Sequence, residues 1–195
     1  MTKLRLAILI SGRGSNMEAL VKATQKTAFP AETVLVMSNR SDAAGLEYAA
    51  THGIENIAVP HREFAHDREA FERAMHTHLQ RSNVDIIALA GFMRILTPWF
   101  VRQWDGKLIN IHPSLLPKYP GLNTHQRALD AGDEQAGCSV HWVNEGVDTG
   151  EIIDQRRVSI VKGDTAETLA ARVLQSEHDL YPKALEKACY SLLKS

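Results

Sequence analysis

Cysteine is scarce in this sequence. Cys138 and Cys189 form neither a CxxC pair nor a disulfide framework, a usage that suits a reducing compartment, and both are expected to act as small buried apolar residues. Long hydrophobic runs are missing too. The clean apolar stretch near the start, residues 6–10, is too short for a signal-peptide core or a membrane span, so no membrane partner is expected and the cytoplasm is the expected address. Charge of one sign is also lacking. The 22 Lys and Arg against 23 Asp and Glu leave a net charge of -1, and without a basic excess no nucleic-acid partner is expected. There is no HExxH motif and no Cys/His cluster. His76 and His78 stand two apart on a predicted helix and point to different sides, so no metal is expected. With no low-complexity segment, internal repeat or Pro/Gly/Ser-rich linker, residues 1–195 read as a single domain. Its apolar share of 44% is ordinary for a globular chain long enough to bury a large core.

What is present alternates. Residues 5–10 are a short apolar run closed by Ser11 and Gly12, the pattern of a buried strand. Asn16 is expected to cap a helical stretch, 17–27, with Met17, Leu20 and Val21 at helical spacing. A strand over 33–37, a helix over 43–51 stopped by Gly53, a short strand over 56–59 and a helix from Asp67 to about Arg81 follow. Residues 84–90 are β-branched and end at Gly91, and a further strand over 108–111 stops at Pro113. Strands alternating with helices predict a parallel sheet with right-handed crossovers. Beyond Pro113 the pattern changes: 139–143 alternates like a half-buried strand and 151–157 can pair with it antiparallel. A final helix over 165–193 carries Pro182, where a break is expected. The fold class is therefore α/β, a mostly parallel sheet flanked by helices with an antiparallel C-terminal part.

Ligands of open α/β sheets bind outside the carboxyl ends of the strands, which directs attention to four segments. Ser11-Gly12-Arg13-Gly14-Ser15-Asn16 joins the first strand to the first helix, where glycines let the backbone approach a ligand and free amides point at an anion. Met17 stands where the dinucleotide fingerprint needs its third glycine, and the Gly-Lys-Ser/Thr ending of a Walker loop is absent. A cradle for a single phosphate remains, or a tight turn with a helix cap. Asn110 and His112 lie two apart on a strand and can address one ligand atom, the amide stabilising an oxyanion while the imidazole manages a proton; a polar strand end stopped by Pro113 is the plainer reading. Residues 91–96 mix apolar side chains with Arg94, which fits a pocket for a flat heterocycle or a piece of core with one solvated arginine. Asp148 sits in a glycine-flanked turn, where an aspartate commonly bonds its own backbone. His52, His61 and His66 read as surface positions, and His141, on one strand face with Ser139, as a core-edge histidine.

Taken together, residues 89–96, 110–121 and 148–150 resemble those of phosphoribosylglycinamide formyltransferases, and the likeness runs from about Ile8 to Pro182. That resemblance implies a Rossmann-like formyltransferase fold and transfer of the formyl group of 10-formyltetrahydrofolate, a co-substrate, to the amine of 5-phosphoribosylglycinamide (GAR) in purine synthesis. It implies Asn110, His112 and Asp148 as the catalytic trio and Gly14, Ser15, Asn16 and Glu177 as GAR contacts. Folate contacts would come from Arg68, Met93, Arg94, Ile95, Leu96 and Asn110. Asn123 stands where some members carry His and is given no catalytic part; His125 is kept as a contact. Both partners are small molecules, and a monomer or weak homodimer is expected. Formyltetrahydrofolate deformylase carries an extra regulatory domain ahead of the catalytic part, and methionyl-tRNA formyltransferase needs a further domain and a basic surface, so both fit this length and charge less well. A non-catalytic sensor on the same fold would have no need of the trio.

Overall fold

The computed structural model describes residues 3–65 and 67–194; His66, read above as a surface position, lies outside them. In chain order the elements are β1 (Leu4–Ile10), α1 (Ser15–Thr24), β2 (Ala31–Ser38), α2 (Ala44–Thr51), β3 (Glu55–Ala58), a 3-10 turn (His61–Phe64), α3 (Arg68–Arg81), β4 (Ile86–Leu89), α4 (Pro98–Gln103), β5 (Leu108–His112), α5 (Thr124–Asp130), β6 (Gln135–Trp142), β7 (Ile152–Ser159) and α6 (Ala166–Leu192). Among the described residues, seven strands form one sheet in the order β3-β2-β1-β4-β5-β6-β7. β1 to β5 run parallel, whereas β6 lies antiparallel to β5 and β7 antiparallel to β6. The change of direction falls after Pro113, as the sequence pattern indicates.

β1 explains the two-sided core. Its residues alternate between faces, as strand geometry requires. Leu6, Ile8 and Ile10 pack with Met17 and Leu20 of α1 and Leu169, Val173 and Leu185 of α6. Ala7 and Leu9 pack with Phe71, Met75 and Leu79 of α3 and Phe100 of α4. With both faces covered, the strand reads as a continuous apolar run and not as an alternating one. Cys138 and Cys189 sit in the first of these layers, and burial pushes both thiols up to about 12. Because β2 and β4 flank β1 on opposite sides and lead away in opposite directions, a crevice opens at the carboxyl end of β1.

Four elements differ from the sequence reading. α6 runs through Pro182 without a break. An interior proline costs about 3 kcal/mol of helix propensity, but Leu180 and Tyr181 before it and Ala184 and Leu185 after it are all buried, and a buried large apolar side chain contributes about 1.5–3 kcal/mol. The Tyr181 hydroxyl also donates to the Leu89 carbonyl at 2.9 Å, fixing the helix to β4. α4 and α5, six and seven residues long, were not expected; both are too short to show a helical period. Finally, α1 is capped by Gly14 and not by Asn16, whose side chain is engaged elsewhere. No described helix is long and apolar enough to cross a membrane.

Candidate active site

The turn after β1 is shaped by Gly14, whose φ of 76° is a left-handed conformation that a side chain would strain. A glycine cap brings no side-chain oxygen to the first turn of α1, so the amides there are left for a ligand. Asn16 is turned away from capping because its Nδ2 donates to Glu177 Oε2 of α6 at 2.6 Å. Its Oδ1 is buried with no partner, an acceptor waiting for a donor. Burial raises the Glu177 carboxyl above the ordinary range, and the Asn16 hydrogen bond only partly counters this. These residues line a cleft of ≈ 570 Å³ together with Ser11, Arg13, Met93 and Arg94. An anion contact and a hydroxyl-bearing group beside it are what this end of the cleft can hold.

The second wall is the segment after β4, residues 91–97. Met93 and Ile95 are 71% and 65% exposed, apolar side chains held open to solvent, while Leu96 packs beneath them against the core. The far end of the segment is anchored by Glu72 of α3, which accepts from both the amide and the hydroxyl of Thr97. Burial raises the Glu72 carboxyl, and the two Thr97 bonds oppose that. Arg68, at the first turn of α3 and exposed, is outside the cleft, but its charge reaches Glu72. It thus stands near the anchored end of the segment.

The third part lies at the boundary between parallel and antiparallel sheet. Asn110 and His112 share one face of β5, and antiparallel pairing sets His141 opposite Asn110 and Ser139 opposite His112. Asp148, in the β6–β7 loop, enters between the two imidazoles: Oδ2 is 3.3 Å from His112 Nδ1 and Oδ1 is 3.6 Å from His141 Nε2. Burial works to raise the Asp148 carboxyl. The His141 contact, the Gly121 amide at 2.9 Å and the charges of both imidazoles outweigh it, so the group is held below the ordinary range. The His112 ring is oriented from its other side, Nε2 donating to the Tyr119 carbonyl at 2.9 Å. His141 Nδ1 donates to the Trp142 carbonyl at 2.8 Å, and its Nε2, the nitrogen facing Asp148, also lies 3.4 Å from Asn110 Nδ2. Gly150 keeps this geometry possible, since a Cβ there would overlap the Trp142 carbonyl. His112 and Asp148 lie just beside the cleft, bounded by Ile111 and Pro113, which line it.

The three trio residues therefore converge, and Asn16 meets Glu177 across 161 residues of sequence. Gly14, Ser15, Met93 and Arg94 line the same cleft, whereas Ile95 faces solvent and Leu96 the core. Asn123 is exposed in the left-handed region before α5, and His125 is half-buried with its Nδ1 unpartnered, near enough to His112 to feel its charge. The sequence reading missed His141, buried and part of the Asp148 cluster; only the register that sets it opposite Asn110 reveals it. It also placed His61 on the surface, where the ring is half-buried and bonded to Asn39. Among the described residues no three His, Cys, Asp or Glu side chains are grouped to hold a metal.

A parallel sheet with an anion turn at its reversal point, and an amide–imidazole–carboxylate group at its antiparallel border, defines a class that comparison with known proteins makes specific. The family model described as Formyl transferase matches residues 4–185. The chain is 44% identical to the phosphoribosylglycinamide formyltransferase of Escherichia coli (strain K12), over 92% of this chain and 84% of that protein. It is 51% identical to the "Trifunctional purine biosynthetic protein adenosine-3" of Drosophila pseudoobscura pseudoobscura over 93% of its own length, but spans only 13% of that protein. The crystal structure of phosphoribosylglycinamide formyltransferase from Brucella melitensis superposes with a TM-score of 0.92 at 51% identity, covering 96% of each chain. The chain belongs to the phosphoribosylglycinamide formyltransferase family.

Proposed function

We propose that this protein transfers the formyl group of 10-formyltetrahydrofolate to the amine of GAR, giving formyl-GAR and tetrahydrofolate in purine biosynthesis. The observation that carries the reading is Asp148 Oδ2 at 3.3 Å from His112 Nδ1, at the end of the strand that also bears Asn110. The phosphate of GAR sits on the amides of Gly14, Ser15 and Asn16, and its ribose hydroxyls donate to the orphaned Asn16 Oδ1 and meet Glu177. The heterocycle of the folate lies along Met93, Arg94, Ile95 and Leu96 near Asn110, and its anionic tail reaches Arg68. All of these positions belong to one sheet and to the loops and helices packed on it, which supports reading residues 1–195 as a single formyltransferase domain.

The amine nitrogen attacks the formyl carbon, and negative charge develops on the formyl oxygen as the bond to the folate nitrogen weakens. Asn110 Nδ2 and a protonated His112 stabilise that oxygen. Asp148, held below the ordinary carboxyl range by the His141 contact, the Gly121 amide and both imidazoles, faces the His112 ring and orders a water that carries the amine proton to the leaving folate nitrogen. His112 Nε2 is now occupied by the Tyr119 carbonyl, so that loop must yield the nitrogen when the formyl oxygen arrives. His141 positions both Asn110 and Asp148. The test is an absorbance assay with 10-formyltetrahydrofolate, with and without GAR. Turnover that depends on GAR is expected; turnover without it would assign a deformylase, and none in either would leave a binding protein. Asn110→Ala, shown to be folded, is expected to lose about 10²- to 10³-fold in turnover as an oxyanion donor, and near-normal turnover would remove it from that role.

A further inference from the structure

The two walls of the cleft come from different strands, yet one buried hydroxyl joins them. Ser11 is the first residue after β1. Its amide donates to the Gly91 carbonyl at 3.2 Å, and its Oγ accepts from the Met93 amide at 2.7 Å. A hydroxyl has a single proton to give, and Ser11 gives it to Asn39 Oδ1 at 2.6 Å. That direction fixes the Asn39 amide, whose Nδ2 lies 3.1 Å from His61 Nδ1. The same ring nitrogen is 3.0 Å from the Asn39 carbonyl, so the ring is held in either tautomer. Asn39 follows β2 and His61 follows β3. A continuous polar chain, His61–Asn39–Ser11–Met93, thus crosses the carboxyl ends of β3, β2, β1 and β4 along the lining of the cleft. Ser11 and Asn39 are 8% and 3% exposed, too buried for water to replace a lost partner easily.

We infer that Ser11 and Asn39 are positioning residues that lock the segment 91–97 to the turn 11–16, so that the two substrates are presented to each other in a fixed register. Which substrates these are rests on the function proposed above; the lock itself does not. The segment is exposed over Met93 and Ile95 and is anchored at its far end by Glu72. Its near end is tied to Ser11 twice, by the backbone bond at the Gly91 carbonyl and by the side-chain bond at the Met93 amide. Opening the side-chain bond loosens the donor wall beyond Gly91, where the backbone bond still holds, while the phosphate turn, built on its own glycine and on α1, keeps its shape. Loss of Ser11 Oγ therefore falls on one substrate and on the coupling between the two, not on both sites equally.

The first measurement needs no substrate. In amide hydrogen exchange, the Met93 amide is expected to exchange at least about tenfold faster in Ser11→Ala than in the unaltered protein, as a buried bond of ordinary net strength is lost. Amides of 14–18 are expected to be unchanged; uniform acceleration across both walls, or none at Met93, overturns the lock. The second uses steady-state kinetics. Ser11→Ala and Asn39→Ala are each expected to raise KM for 10-formyltetrahydrofolate about tenfold and KM for GAR by no more than about twofold. The double variant is expected to be no worse than either single, because the two act as one unit, and Ser11→Thr restores the donor KM. Equal rises in both KM values, additive losses, or no rescue by threonine in a folded variant would overturn the proposal. If the unaltered protein turns over neither substrate while its Met93 amide still loses protection in Ser11→Ala, the functional reading fails and the lock stands.

Discussion

Glu177 and Asp148 are the same functional group placed at two ends of one binding region, and their surroundings drive them in opposite directions. Around Glu177 there is burial and one neutral amide, Asn16, so desolvation dominates and the carboxyl is raised. Around Asp148 burial is opposed by two imidazoles and the Gly121 amide, and the carboxyl is lowered. The Asn16–Glu177 end thus pairs a desolvated carboxyl with a neutral amide, and the other end sets a carboxyl of lowered proton affinity against two imidazoles. Environments that separate the proton affinities of like groups assign them different tasks. In the function proposed above, the separation suits one carboxyl to holding a hydroxyl-bearing ligand and the other to supporting charge during a reaction.

The comparison is tested most severely at the charged end. Asp148→Asn keeps the side chain nearly isosteric, keeps an acceptor for the Gly121 amide and suits the residue's φ of 53°, a left-handed conformation that asparagine tolerates. Only the charge is lost. Turnover is expected to fall by about 10²- to 10⁴-fold, the range for a group that manages a proton, with KM for GAR little changed; steady-state kinetics on both substrates reads this. A loss below about tenfold would remove the distinction between the two ends, since ordinary binding contacts change affinity by that much. Glu177→Gln is the smaller effect. It preserves the bond to Asn16 through its own carbonyl, and is expected to raise KM for GAR about tenfold while turnover stays within about twofold. A fall in turnover as large as that of Asp148→Asn would mean that both carboxyls take part in the chemistry.

How much of this could be read in the sequence depends on whether the signal is local. The strands of the parallel half are legible because each is a short apolar run closed by glycine or a polar turn, and both faces of β1 are buried for the same local reason. Asn110 and His112 are legible through their spacing on a strand. Asp148 is not, because its partners come from β5 and β6 and meet it only through antiparallel pairing. His141 is legible only as a core-edge histidine, which its burial bears out; its place opposite Asn110 in the Asp148 cluster is not, because along the chain it only alternates with Ser139. α4 left a usable sign, Thr97 as its cap and Pro98 at its first turn, which a period-based reading passes over in six residues. The unbroken α6 shows the converse, a strong local signal at Pro182 overruled by burial on both sides.

The finest test of the comparison is the pH dependence of stability. A carboxyl held below its unfolded value contributes stability that is present above the unfolded pKa and is lost as pH falls through the depressed one. Asp148 is of this kind. A carboxyl raised above its unfolded value contributes stability that is present below the unfolded pKa and is lost as pH rises through the elevated one. Glu177 is of this kind, and Glu72, buried against Thr97, adds to the same side. The two ends therefore penalise opposite flanks of the pH range. Urea unfolding across pH is expected to show Asp148→Asn losing less stability than the unaltered protein on the acid side, below the ordinary carboxylate range. Glu177→Gln is expected to lose less as pH rises above that range, with the part due to Glu72 remaining until Glu72→Gln is added. Identical pH profiles for the two single variants would show that the opposed environments of Glu177 and Asp148 have no energetic consequence, and the assignment of one end to anchoring and the other to charge would have to rest on kinetics alone.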